Sequence, residues 1–512
     1  MPTVLSSTEL PRVLAAERRA VADLGHLLRF RAATLSRRRV LLLGGFFVGI
    51  TLAAIIVPAY LPGAGQLGPG RARDLLTLLP TAFAGFQLLS LIAGVASGGG
   101  RELVSREQLV AYPVSPTTDH LGALLLAPLN AAWLVQAWTL LGAASFGLGP
   151  DRFLAGSVGV LLWIAVATAR AQAVAWAVEG VRRLRHGRIA VRLVAVAAGL
   201  LAAWLQLSGR LAPLLDHLPT RWFVLGLVDG VSGRWALTLL VGTAMLVTAT
   251  TVGAIPAHLA ARLAAREEHD AESMPHPGRP MPRTDRAMVV RIDRASVWRS
   301  VPIRRGLLVL SIGPGVVALA GALTWSQLIL LPGLVASGGA LLFAVNGWCL
   351  DGRGALWRES LPVEPRVVFV ARVWVCAEFL AVASLITLAI GCLRAGLPDA
   401  RELTAAVAAF AVVLVQVVAA AMRWSQARPY PVDLRSARAT PAPPLAMIGY
   451  SGRLAASTTV TSLIFSTLAR VGAPEVTVPV AVVMGMWSWS RLRRTGQEWL
   501  DPRVRARVVT TF

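Results

Sequence analysis

Two ionisable side chains stand out most clearly inside long apolar runs. Glu378 lies near the middle of the run from 366 to 393, with Arg372 six residues earlier, and Arg170 lies with Gln172 in the run from 153 to 178. Burying a charge in lipid is costly unless it faces protein or a water-filled cavity, so such residues mark routes for ions or cargo. Arg170 and Glu378 are therefore candidates for a translocation pathway, and Asn130, in the run from 120 to 148, joins them as a milder one. Gln136 and Gln416 fit hydrogen bonds between neighbouring helices.

A second constellation is mechanical. "AYPVSP", Ala111 to Pro116, is nearly repeated by "SLPVEP", Ser360 to Pro365, and each follows a short charged stretch and leads into a long apolar run. Proline fixes φ and disfavours helix at the residue before it, so Pro-Val-x-Pro makes a stiff corner at a membrane edge. Stiff corners transmit force. The candidate residues are Tyr112, Pro113, Val114 and Pro116 in the first copy, and Leu361, Pro362, Val363 and Pro365 in the second.

Other chemistry is poorly supported. All 50 basic residues are arginine, and without a lysine the chain has no Walker A phosphate loop. Cys349, Cys376 and Cys392 are an odd number without C-x-x-C spacing, which supports neither a disulfide framework nor a zinc site. "GAGQLG" at Gly63 to Gly68 follows an apolar run instead of a strand, and fits a flexible external loop. "GYSG" at Gly449 to Gly452 lacks the spacing of a nucleophile elbow. His269 and His276 lie among acidic residues in what fits a solvated linker. No catalytic residue, metal site or bound cofactor is expected.

The elements that must position these residues are membrane helices. Apolar residues make up 55% of the chain and charged residues 15%, with mean hydropathy +0.62, the composition of an all-α polytopic membrane protein. Twelve runs are near the length of a span: 39–62, 75–97, 120–148, 153–178, 189–206, 236–262, 305–323, 328–350, 366–393, 402–422, 454–470 and 475–490. The last two are short. About 38 polar, Arg-rich residues precede the first run, so it fits a retained anchor and not a secretory signal. With the N-terminus cytoplasmic, 40 arginines fall at the inner side, 9 outside, and Arg170 within a span. The positive-inside rule then places both termini in the cytoplasm. The formal charge of +23 is explained by an anionic inner leaflet, without a nucleic-acid partner.

The expected organisation is a cytoplasmic amphipathic segment at 1–38, a six-helix membrane half at 39–262, and a cytoplasmic linker with an amphipathic helix at 263–304. A second six-helix half follows at 305–490, then a cytoplasmic tail at 491–512. Before the first span Val21, Leu24, Leu28, Ala32 and Leu35 share a face; before the seventh, Met288, Ile292 and Ala295 do. A shift of 249 residues lays Pro113, Val114 and Pro116 on Pro362, Val363 and Pro365, and Glu102 on Asp351. Six spans is an even number, so duplicated halves are parallel repeats.

The order of amphipathic helix, two spans, charged stretch with "REQLVAYPVSP" or "LWRESLPVEP", and long third span resembles the permease subunits of type-2 ABC exporters. The resemblance covers the first three spans of each half best. It departs from that family in fusing two six-span halves, and in an external segment, Leu207 to Trp235, that has no counterpart in the second half. The resemblance implies that the twin corners belong to coupling segments docking on a separate ATPase subunit, in two copies. It further implies that ATP and magnesium are bound by that partner, and that the protein resides in a bacterial cytoplasmic membrane. A twelve-helix secondary carrier is the alternative, since "LDGRGALWRE" resembles that superfamily's loop after its second span, though "GGGRELVSREQ" lacks the aspartate. A polytopic glycosyltransferase is a third, but the first external loop offers one carboxylate, Asp74, where an acidic pair is wanted. The cargo is not specified by the sequence.

Overall fold

The computed structural model describes residues 19–27, 29, 37–66, 68, 70–96, 114–127, 131–210, 213–214, 217–263, 280–431, 441–472 and 474–511. Among them there are helices and turns and no strand. The chain divides into two compact units between Pro275 and His276, inside the expected linker.

The first unit contains α1 (Arg37–Ala59), α2 (Arg71–Ala96), α3 (Pro116–Leu125), α4 (Ala131–Leu148), α5 (Phe153–Arg183), α6 (Gly187–Leu207), α7 (Pro219–Val228) and α8 (Gly233–Arg262). The second contains α9 (Asp285–Arg299), α10 (Val301–Ala320), the short α11 (Trp325–Leu328), α12 (Leu331–Leu342), a 3-10 segment (Ala344–Gly354), α13 (Ala355–Glu359), α14 (Pro365–Ala395), α15 (Ala400–Ala427), α16 (Pro444–Val471), α17 (Pro474–Trp499) and α18 (Pro502–Val509). The same pairings recur in both. In the first unit α1 packs on α4, α2 on α4 and α5, and α5 on α8; in the second α10 packs on α14, α12 on α14 and α15, and α15 on α17.

This is a multi-pass membrane protein. Eight helices among the described residues are long and apolar enough to cross a bilayer, and two more, Gly44–Ala59 and Trp133–Leu148, are apolar but shorter. Their outer faces carry the residues a soluble protein would bury: α8 exposes Leu237, Leu240, Val247 and Val252. Two expected spans are interrupted. The third begins as α3 and resumes as α4, and the eighth is divided into α11, α12 and the 3-10 segment. The two short runs near the C-terminus lie on longer helices, 28 residues in α16 and 26 in α17, but of these only α16 is apolar enough to count among the eight. The tail is ordered too, since α17 runs to Trp499 and α18 buries Val508.

Packing in the first unit centres on aromatic rings. Phe83 of α2 stacks on Trp163 of α5 at 5.5 Å, and Trp163 donates its indole N–H to the Phe83 carbonyl at 3.1 Å. The external segment places α7 against them, with Phe223 5.2 Å from Trp163 and Leu227 fully buried. The loop expected to be flexible is held by a close approach. Gly65 and Gly149 both have positive φ, and a Cβ on Gly149 would lie 2.6 Å from the Gly65 Cα. Gly65 also donates its N–H to the Phe146 carbonyl at 2.9 Å.

Candidate functional site

The second unit breaks one of its spans. After α12 the backbone leaves the helix at Phe343 (φ −152°), and within the 3-10 segment Asn346 (φ −137°, ψ 50°) and Gly352 (φ 48°) are non-helical. In a membrane such backbone is tolerated only where protein or a cavity supplies its hydrogen bonds. Here side chains supply them. Asn346 is fully buried and donates its amide to the carbonyls of Tyr430 at 2.8 Å and Pro441 at 2.7 Å. Both partners are acceptors, so the nitrogen of the amide must be the atom that faces them. The Trp348 N–H donates to Ser425 Oγ at 3.2 Å, and the Gly347 carbonyl accepts from Arg372 Nη1.

Around the break lies a buried network of two arginines and two aspartates. Arg372 of α14 donates from Nε to Asp293 Oδ2 at 2.9 Å and from Nη2 to Asp293 Oδ1 at 3.1 Å, a two-pronged grip on a carboxylate of α9. Its Nη2 also reaches Asp351 Oδ1 at 2.8 Å. Arg358 of α13 joins the same two carboxylates through Nη1, at 2.8 Å to Asp293 and 2.5 Å to Asp351. Asp293 is 0% and Arg372 2% exposed, and the formal charges cancel. The Arg372 guanidinium lies 5.0 Å from the centre of the Trp348 ring, and that ring stacks at 3.8 Å on Trp499, the last residue of α17. Side chains from α9, the 3-10 segment, α13, α14 and α17 thus meet in one place.

The second corner leaves this cluster directly. Ser360 ends α13 two residues after Arg358, the Leu361 carbonyl accepts from the Val363 N–H at 2.7 Å, and Pro365 is the first residue of α14. Pro362 is exposed, while Val363 is half-buried against the core. On the other side Arg505 of α18 donates to Glu359 at 2.7 Å. The first copy shares the part that is described: Pro116 is the first residue of α3, and Ser115 Oγ accepts the Thr118 N–H at 3.1 Å. At that position a proline loses nothing, because its missing N–H would have no helical partner. Tyr112 and Pro113 lie outside the described residues, as do Glu102, Asn130, His269 and His276.

The intramembrane candidates fare differently. Glu378 does not pair with another span; it accepts from Arg294 Nε of α9 at 2.8 Å, and its side chain is 33% exposed. The partner comes from α9 because that helix packs along α14. Arg170 is half-buried on α5 and has no ion-pair partner among the described residues. Gln416 accepts from Thr461 Oγ1 of α16 at 3.0 Å, the hydrogen bond between helices expected for such an amide.

Asp293 was not singled out from the sequence. It lies between Arg291 and Arg294 on a helix whose face was assigned to Met288, Ile292 and Ala295; these three are half-buried, and the buried residues are Val289, Val290, Asp293 and Val297. A carboxylate one turn from two valines was the available signal. Among the described residues no group of His, Cys, Asp and Glu forms a metal site, and the three cysteines are free. Compared with protein-family models, curated proteins and solved structures, the chain matches none.

Proposed function

We propose that this protein is the membrane-spanning permease component of an ATP-driven exporter of the type-2 ABC kind, energised by a separate ATPase subunit. The supporting observation is the anchoring of the second corner. A push on Ser360 to Pro365 reaches Arg358 within two residues, and Arg358 is fixed by Asp293 and Asp351 to α9, the broken span and α14. From the break, Asn346 carries the displacement to the connection between α15 and α16. A corner built only to end a helix needs none of this. The inner-side excess of arginine puts the corners on the cytoplasmic face, where two ATPase copies holding ATP and magnesium would dock, one at each corner. The bacterial cytoplasmic membrane is the matching location, with both termini inside. Arg170, which has no charged partner among the described residues, is the better placed pathway candidate, and Glu378 the weaker.

One observation favours the carrier alternative. A broken helix beside a buried charge network is also how secondary transporters build a coupling-ion site, and Asp351 and Arg358 both lie in "LDGRGALWRE". Proteoliposomes separate the two. Export should require ATP together with a co-reconstituted ATPase subunit and survive collapse of ion gradients. Transport driven by a proton or sodium gradient, with no ATPase present, would overturn the exporter reading.

A further inference from the structure

Three arginines of the second unit lie against the faces of tryptophans that stand clear of the core. The Arg286 guanidinium is 5.8 Å from the ring centre of Trp374, that of Arg304 is 5.8 Å from Trp298, and that of Arg491 is 4.9 Å from Trp487. The rings of Trp374, Trp298 and Trp487 are 50%, 54% and 59% exposed, so none of them fills the interior. A large ring left outside the core beside a cation suits the layer where hydrocarbon meets phospholipid headgroups, because the ring is amphipathic and the arginine can reach phosphate.

The three pairs share a level. A Cβ on Gly496 of α17 would lie 3.0 Å from the Phe369 ring of α14, and Trp499 lines a cavity with Pro365 and Val368, so the two helices run antiparallel. Counted from that contact, Trp374 on α14 and Arg491 on α17 are equally far along, and so are Glu378 and Trp487 one turn further. Glu378 holds Arg294 of α9, and Trp298 follows Arg294 by a single turn. All three pairs thus fall in a layer on the order of 10 Å thick. From Trp374 the rest of α14, to Ala395, is about 32 Å long, close to the ~30 Å of a hydrocarbon core.

We propose that these residues form the rim by which the second unit seats in the headgroup layer of an anionic phospholipid leaflet, with the network of Asp293, Asp351, Arg358 and Arg372 on its aqueous side. The partner is anionic because none of the three arginines has an ion-pair partner among the described residues. The network lies on the side away from Ala395, since Arg372 turns its guanidinium to the Trp348 ring, which stacks on Trp499 beyond Gly496. The rim does not depend on the exporter reading.

The test uses full-length protein in nanodiscs of dioleoylphosphatidylcholine and dioleoylphosphatidylglycerol, in a Cys392→Ser background because the other two cysteines are buried. Nitroxides are attached one at a time through Arg366→Cys, Gln497→Cys, Val382→Cys and Val483→Cys, all at exposed positions. Power saturation should show access of a water-soluble nickel chelate at 366 and 497, and of oxygen at 382 and 483. Spin-labelled phosphatidylglycerol should associate with the protein in preference to spin-labelled phosphatidylcholine. That preference should fall by about fivefold or more when Arg286, Arg304 and Arg491 are all replaced by glutamine, since one arginine near a charged surface is worth about that factor. Gel filtration checks that the triple variant remains folded. Oxygen access at 366 matching that at 382 would put the network inside the hydrocarbon and overturn the proposal. Equal association of the two lipids, or a preference unchanged in the folded triple variant, would overturn it as well.

Discussion

Two ion pairs of the second unit differ chiefly in how much water reaches them. Arg372 and Asp293 are sealed, so removing one partner leaves a buried charge short of its hydrogen bonds. Arg372→Met should destabilise the protein by about 3–5 kcal/mol, read by thermal unfolding in detergent. Arg372→Lys should not restore it, because one ammonium cannot grip both oxygens of Asp293 while reaching Asp351 and the Gly347 carbonyl. Arg294 and Glu378, 49% and 33% exposed, are screened by solvent. Glu378→Gln should therefore shift stability by no more than about 1 kcal/mol. Equal losses in Arg372→Met and Glu378→Gln would show that the network's burial does not matter.

At the scale of elements, the broken span and the corner are joined parts of one device. Asn346→Ala orphans the buried Pro441 carbonyl, at about 1–3 kcal/mol, and frees the part-buried Tyr430 carbonyl, and should loosen the 3-10 segment from the connection after α15. Hydrogen exchange faster at 344–354 than in α12 would report it; unchanged exchange would mean that the break is held by other contacts. Pro362 and Pro365 act through stiffness instead. Replacing both with glycine removes no hydrogen bond, since proline has no N–H to donate, and Pro362 is exposed. The double variant should insert and fold as before while export falls and ATP hydrolysis responds less to cargo. Full export with unchanged partner binding would leave the corner as an ordinary helix start.

For the whole molecule, the energy source and the sidedness are the properties at issue. The chain has no lysine and hence no Walker A loop, so the purified protein alone should hydrolyse no ATP, and activity should appear only with a partner subunit. Sustained turnover by the isolated chain, with contaminants removed, would refute the assignment. The arginine distribution predicts that single cysteines introduced near Arg503 and near Arg283 label only from the cytoplasmic side, and one near Arg73 only from outside.

The sequence by itself determined the membrane class, the helical content and the division into two units, because each follows from local composition: apolar runs of bilayer length and a polar, proline-rich linker at their midpoint. It also marked Pro116 and Pro365 as places where a helix starts, since proline acts on its own backbone. It did not determine where the spans would break or what would pair. Residues 328–350 read as one continuous apolar run, and the interruption at Phe343 to Gly352 is stabilised by Ser425 and by the carbonyls of Tyr430 and Pro441, some 77 to 95 residues away. Asp293 did not stand out in its helix, and its role follows from Arg372 of α14, which reaches it across 79 residues of chain. Hydropathy is a property of each segment alone. The worth of a buried charge depends on what packs against it, and only the tertiary structure decides that.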